Sequence, residues 1–80
     1  MAIVHFSGDL VRYTGGIETL ALDVPRVLEL RLALEARFPG VAERLERLAI
    51  AIDGDIYNNA DYQTLRPTAD VYFVPPIAGG

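Results

Sequence analysis

The sequence contains no cysteine and no lysine, and each absence excludes a class of chemistry. Without cysteine, the chain has no disulfide framework, no thiolate metal site and no cysteine nucleophile. Without lysine, no side chain accepts an isopeptide bond, so chains of this protein linked to itself are excluded. All seven basic residues are arginine.

Long apolar runs and clusters of positive charge are also missing. No stretch approaches the roughly 18–20 apolar residues of a membrane span, and the first residues, MAIVHFSGD, lack the basic region of a signal peptide. We therefore expect a cytoplasmic protein. The net charge is −4 and the arginines are interspersed with glutamates, which disfavours nucleic acid and favours a partner with a basic surface.

The residues that are present indicate one small folded domain. The 80 residues are 51% hydrophobic and 22% charged, which is typical of a globular protein with a modest core. Short apolar runs predict strands in segments 2–7, 17–22, 48–53 and 68–74, with a brief strand at 56–57. The Asp-Gly-Asp sequence at 53–55 is a tight-turn signal.

Helical spacing predicts one main helix after the second strand. Asp23 is the expected N-cap, Pro25 fits the first turn, and Pro39-Gly40 ends the helix. We expect an ion pair between Arg31 and Glu35. The residues expected to face the core are Val27, Leu30, Leu34 and Phe38. A short second helix is expected in segment 41–48.

The order of these elements predicts the fold class. Two strands, a helix, a short helix and three more strands make an α+β fold in which a mixed sheet packs against one main helix. We expect the β-grasp, or ubiquitin-like, layout, with the first and last strands adjacent in the sheet. Residues 1–80 then form a single domain, in which 75–80 are a flexible, extended tail.

The last eleven residues, DVYFVPPIAGG, carry a resemblance to a known family. The pattern of Val, Phe, two prolines, a hydrophobic residue, a small residue and Gly-Gly is similar to the C-terminal signature of the MoaD/ThiS sulfur carriers, and the MoaD branch is the better match. The resemblance implies a sulfur carrier in molybdopterin biosynthesis that is not itself an enzyme. Its Gly80 carboxylate would be adenylated and converted to a thiocarboxylate.

The resemblance also implies the partners. An E1-like adenylyltransferase (MoeB-like) would use ATP, and the molybdopterin synthase large subunit (MoaE-like) would receive the sulfur, while this chain binds no cofactor.

Three positions depart from the MoaD pattern: the segment 67–70, the pair Ile52-Asp53, and Val74. A paralogue serving thiamine or tRNA thiolation, a ubiquitin-like modifier of proteins, and a non-covalent binding module therefore remain alternatives.

Physical reasoning about the tail agrees with this chemistry. Gly79 and Gly80 have no Cβ and suit a narrow channel, and Pro75-Pro76 stiffen the start of the tail. Ile77 and Ala78 fit a snug, uncharged channel. Six extended residues reach up to about 20 Å, which is far enough to deliver a carboxylate into another protein.

The remaining candidates concern contact with partners. Strand parity places Ile3, Tyr72 and Val74 on the face opposite the helix, where they are expected to contact a partner. Parity assigns Phe73 mainly to the core, although the resemblance places it near the docking surface, and we include it among the partner contacts. His5 is expected to be partly exposed, with no acidic ligand set near it and no catalytic role, and no metal site is expected. Leu28 and Leu32 form a second apolar line whose expected role is a further contact or self-association.

Overall fold

Five strands form one mixed sheet in the order β2-β1-β5-β3-β4 in the computed structural model, which describes residues 1–58 and 60–76. The strands are β1 (Ala2–His5), β2 (Thr19–Leu22), β3 (Ala49–Ile52), β4 (Asp55–Tyr57) and β5 (Asp70–Val74). The helices are α1 (Leu10–Tyr13), α2 (Val27–Arg37) and α3 (Val41–Leu45). Among the described residues, no helix is long and apolar enough to cross a bilayer.

The last strand lies in the middle of the sheet. β5 pairs in parallel with β1, where Val4 lies opposite Val71, and antiparallel with β3, where Ile50 lies opposite Phe73. The β1–β2 and β3–β4 pairs are antiparallel. The predicted α+β, β-grasp order is therefore confirmed, including the adjacency of the first and last strands.

The core lies between one face of the sheet and the helices. Alternate strand residues are buried there because successive side chains of a strand point to opposite faces. The main strand contributors are Ala2, Val4, Ile50, Ile52, Val71 and Phe73. From α2, Val27, Leu30 and Leu34 are buried as predicted, and Phe38 packs partly buried against them. Complete burial of one such leucine stabilises the fold by about 1.5–3 kcal/mol.

The predicted start of α2 is wrong. The N-cap is Arg26, which has extended backbone and makes no side-chain capping hydrogen bond, so Asp23 lies outside the helix. The free amides of the first turn donate instead to another segment: Val27 N–H to the Gln63 carbonyl at 3.1 Å and Leu28 N–H to the Asp61 carbonyl at 2.9 Å. Backbone carbonyl groups from a distant part of the chain thus replace the side-chain cap that the start of a helix otherwise needs.

The predicted pair of Arg31 with Glu35 is also wrong. Arg31 Nη1 donates to Asp61 Oδ1 at 2.7 Å. Glu35 accepts hydrogen bonds from the backbone N–H groups of Gly40 and Ala42, each at 2.8 Å, and these bonds lower the pKa of its carboxyl group. Glu35 therefore supports the start of α3 rather than pairing along its own helix.

The sequence predicted the turn between β3 and β4 but not the short helix between β1 and β2. The Asp53-Gly54 turn between β3 and β4 is confirmed, with positive φ at both residues, 50° and 92°. The short helix α1 was not predicted, because its four residues are too few to show a helical period. It is held by Leu10, which is buried, and by Thr14 just after it, whose hydroxyl lies 2.7 Å from the Ile17 carbonyl.

Candidate functional site

The face of the sheet opposite α2 carries a continuous row of paired residues. The register joins them strand by strand, in the order Thr19, His5, Tyr72, Ala51 and Ile56. Ile3 and Val74 flank this row on β1 and β5, and we call Ile3, Val74 and the row together the open face. Tyr72 is 44% exposed and Ile56 48% exposed, so large apolar groups on this face are available for contact.

His5 and Tyr72 form the centre of the open face. Their rings are stacked, with centroids 4.2 Å apart and planes 5° from parallel. His5 Nε2 also lies 3.0 Å from Asp70 Oδ1. The sequence did not indicate this contact, because the parallel β1–β5 register brings together residues that are far apart in the sequence.

A second carboxylate lies at the same end of β5. Asp53 Oδ1 accepts a hydrogen bond from the backbone N–H of Asp70 at 2.9 Å, and the Asp70 carbonyl accepts one from Asp53 N–H at 2.9 Å. This reciprocal pair places the Asp53 carboxylate next to Asp70, whose own carboxylate contacts the His5 ring. Apolar and aromatic groups next to carboxylates suit a partner that presents apolar side chains together with arginine or lysine.

The positively charged side chains lie on the helices and loops and not on the strands. All seven arginines are among the described residues, and none of them lies in a strand. Three of them are paired with carboxylates on the helices and loops: Arg26 with Glu29, Arg31 with Asp61, and Arg44 with Asp9. The strands carry only Asp55, Asp70 and the imidazole of His5 as ionisable groups other than tyrosine.

The predicted contact residues do not all share one surface. Ile3, Tyr72 and Val74 lie together on the open face, as parity indicates. Phe73 points to the opposite side and is only 6% exposed, packed in the core with Ile50 opposite it on β3. Direct contact by Phe73 with a partner stays a prediction, and it requires that side chain to leave the core.

The tail begins at the end of the central strand. β5 ends at Val74, opposite Ala49 of β3, and the exposed residues Pro75 and Pro76 follow it directly. Proline has no backbone N–H, so the ladder cannot continue through these residues. The predicted roles of Ile77, Ala78, Gly79 and Gly80 lie outside the described residues. The open face therefore leads directly into the tail.

A small cleft lies on the other side of the sheet, next to Phe73. It is bordered by α2, α3 and the segment after β4, with Arg31, Glu46 and Asp61 at its rim. Its volume of about 40 Å³ gives room for a few water molecules but not for a nucleotide. The absence of a bound cofactor stays a prediction.

Comparison with solved structures shows the same fold in other proteins. A chain of the Amycolatopsis orientalis BexX/CysO complex superposes with a TM-score of 0.85 at 19% identity, over 100% of each chain. Mycobacterium tuberculosis CysO, described as an antigen, gives 0.83 at 17% identity, over 96% of this chain and 100% of its own. The small archaeal modifier protein 1 from Methanosarcina acetivorans gives 0.81 at 18%, over 99% and 95%.

Comparison by sequence identifies the family. No curated protein matches the sequence significantly. A family model described as the ThiS family matches residues 4–80, which include the second half of β1, the other four strands, and the Pro-Pro and Gly-Gly pairs at the end of the sequence. The chain therefore belongs to the ThiS family of ubiquitin-like sulfur carriers.

Proposed function

We propose that this chain carries sulfur as a thiocarboxylate on Gly80 and donates it in molybdopterin biosynthesis. The observation that supports this most strongly is the direct continuation of the central strand β5 into Pro75-Pro76, within a ThiS-family match that extends to Gly80. A strand bonded on both sides gives the tail a fixed base. Two prolines then keep the first tail residues extended and away from the sheet edge.

The chemistry takes place at the Gly80 carboxylate and is catalysed by partners. A carboxylate oxygen attacks the α-phosphate of ATP on an E1-like, MoeB-like enzyme, which forms an acyl-adenylate and releases pyrophosphate. A persulfide or sulfide donor then attacks the acyl carbon and displaces AMP; sulfide gives the thiocarboxylate directly, whereas the acyl disulfide formed by a persulfide needs a thiol reductant. On a MoaE-like large subunit the sulfur forms a bond to the pterin precursor, and water then attacks the acyl carbon and cleaves its bond to sulfur, which leaves the sulfur on the pterin and regenerates the carboxylate. This chain is consumed and recharged, and it binds no ATP itself.

The open face is the proposed contact surface for these enzymes. Ile3, Tyr72 and Val74 lie on it, and Val74 directly precedes the tail. A partner that covers the stacked His5 and Tyr72 rings is positioned to receive the tail at the same time. The adjacent carboxylates of Asp53 and Asp70 favour a partner surface that carries arginine or lysine.

Intact-mass spectrometry tests the proposal. The protein is incubated with a MoeB-like enzyme, ATP and a sulfur source, and its mass should increase by the difference between one sulfur and one oxygen atom. Fragmentation should locate this increase at Gly80. A variant that lacks Gly79 and Gly80 should remain folded and show no increase. If the intact chain gains no sulfur with any cognate activating enzyme, the carrier proposal is wrong.

A separate measurement tests the pathway. The thiocarboxylate form is mixed with a MoaE-like subunit and the pterin precursor, and formation of molybdopterin is measured. Sulfur gain at Gly80 without molybdopterin formation would refute only the pathway. It would favour a paralogue that serves thiamine or tRNA thiolation.

A second candidate is a ubiquitin-like modifier, which the fold shared with an archaeal modifier protein favours. The same adenylated Gly80 would then be joined to lysines of other proteins. Denaturing blots of cell extract should show slow-migrating conjugates in this case, each carrying a single copy because this chain has no lysine. For a third candidate, a non-covalent binding module, removal of Gly79 and Gly80 would leave partner binding and cellular function intact.

A further inference from the structure

An exposed tyrosine stands between two shallow grooves on the helix side of the molecule. Tyr13, at the end of α1, is 42% exposed and borders both grooves. The other residues that line them are Asp9, Arg12, Glu43, Arg44 and Arg47. We call Arg12, Tyr13, Arg44 and Arg47 the Tyr13 surface.

The Tyr13 surface lies on the side of the molecule away from the open face. α1 and α3 are held by Leu10, Val41 and Leu45, which are buried in the core on the helix-covered face of the sheet. The surface residues of the same two helices therefore point away from that core. A protein docked on the open face would leave the Tyr13 surface accessible.

One of its arginines is held in a fixed orientation. Arg44 Nε donates to Asp9 Oδ2 at 2.9 Å and Arg44 Nη2 donates to Asp9 Oδ1 at 3.3 Å, a two-point contact that joins the start of α1 to α3. Within residues 1–58 and 60–76, Arg12 and Arg47 make no ion pair. Two guanidinium groups beside Tyr13 thus keep their hydrogen-bond donors available.

We propose that the Tyr13 surface binds a short acidic segment of a partner protein. A guanidinium group matches a carboxylate with two parallel hydrogen bonds, and the face of a tyrosine ring accepts the apolar part of a neighbouring side chain. A single exposed ion pair contributes little. Recognition therefore needs Arg12, Tyr13 and Arg47 to act together on a segment in which carboxylates alternate with apolar residues.

The local charges favour a peptide over a nucleic acid. Asp9 and Glu43 border the same grooves, and the whole chain carries a net charge of −4. A continuous row of phosphates would have to pass these carboxylates within the screening distance of about 8 Å at physiological salt. An acidic peptide can place its few carboxylates at the arginines and its apolar residues elsewhere.

The test is an NMR titration of the full chain. The probe is a short peptide of alternating glutamate and leucine, compared with the same peptide carrying lysine in place of glutamate, with inorganic phosphate and with a single-stranded RNA oligomer. The glutamate peptide should cause saturable shifts in the amides of Arg12, Tyr13, Arg44 and Arg47. The lysine peptide should cause none there, and the shifts should weaken as salt increases.

Matched variants complete the test. The double variant Arg12→Glu with Arg47→Glu should bind the glutamate peptide at least about tenfold more weakly, and Tyr13→Ser should also weaken it. Arg66→Glu, at an exposed arginine outside this surface, should bind like the unaltered chain. The spectra themselves show whether each variant is folded.

Two outcomes would overturn the proposal. Shifts of equal size at all arginines would mean non-specific attraction, and stronger binding of RNA than of the glutamate peptide would mean that the surface serves nucleic acid. A variant without Gly79 and Gly80 should bind the peptide unchanged. The test therefore does not depend on the sulfur-carrier proposal.

Discussion

The His5 and Tyr72 rings are stacked 4.2 Å apart and 5° from parallel, on neighbouring strands near the middle of the sheet. Asp70 fixes the imidazole from one side, because its Oδ1 lies 3.0 Å from His5 Nε2. A flat pair of stacked rings, one of which is already held at its edge, loses little conformational freedom when a partner covers it. This relationship makes Tyr72 the first residue to change in any study of partner binding.

We expect Tyr72→Ala to weaken binding to the activating enzyme by about tenfold or more, because exposed aromatic residues near the centre of an interface often dominate its affinity. Stability should fall by only about 1 kcal/mol, since Tyr72 is 44% exposed and loses mainly its stack with His5. Titration calorimetry and urea unfolding measure the two effects. Tyr62→Ala, at a residue 77% exposed and outside the sheet, is the matched control. Unchanged affinity in Tyr72→Ala would exclude the open face as the contact surface.

Phe73, the next residue along β5, should show the opposite pattern, with a large loss of stability and little loss of affinity. Phe73 is 6% exposed in the core, so Phe73→Ala should lower the free energy of unfolding by about 3–5 kcal/mol. This loss approaches the whole stability of a small domain, about 5–15 kcal/mol. The milder Phe73→Leu should lower it by about 1.5 kcal/mol or less and leave affinity nearly unchanged. A large loss of affinity in Phe73→Leu without a loss of stability would instead show direct partner contact.

Of the features of the sequence, the alternation of side chains along the strands predicted the structure best. It placed Val71 and Phe73 on the buried face of β5 and Tyr72 on the other, because a strand turns each successive side chain by half a turn. The start of α2 was missed because its first amides bond to carbonyls of Asp61 and Gln63, which no local pattern reveals. A favourable N-cap residue such as Asp23 is only a local preference.

The candidate site was predicted only in part for a similar reason. Parity identified Ile3, Tyr72 and Val74, but parity within a strand carries no information about which residues of two strands lie side by side. The approach of His5 to Asp70 depends on the β1–β5 register across 65 positions. The Arg44–Asp9 contact, across 35 positions, was missed likewise.

Acid should destabilise the protein in part through Glu35. Hydrogen bonds from Gly40 and Ala42 hold its pKa below the ordinary value of 4.5. The resulting stabilisation is fully present above pH 4.5 and is lost as the pH falls through the lowered value. Glu35→Gln should therefore be less stable than the unaltered chain at pH 7, and the difference should shrink below pH 4.5. Urea unfolding between pH 3 and pH 7 measures this, and a difference that grows in acid would contradict it.

The turn between β3 and β4 gives a test of backbone conformation. Gly54 has a φ of 92°, which residues with a Cβ rarely adopt. A Cβ at this position would meet no atom within 4 Å, so any cost comes from the backbone and not from a clash. Gly54→Ala should lower the free energy of unfolding by about 1 kcal/mol or more. Asp55→Ala, at the next and exposed position, should have a smaller effect, and equal losses in thermal unfolding would argue against this origin.

The central place of β5 also has a mechanical consequence. β5 is hydrogen-bonded to β1 on one side and to β3 on the other, and Pro75 follows it directly. A pull on the tail along the strand axis loads both ladders in shear, so several hydrogen bonds must break together. An edge strand could instead peel away one bond at a time. A tail attached to β5 can therefore be drawn back out of a tight channel many times without unravelling the domain behind it.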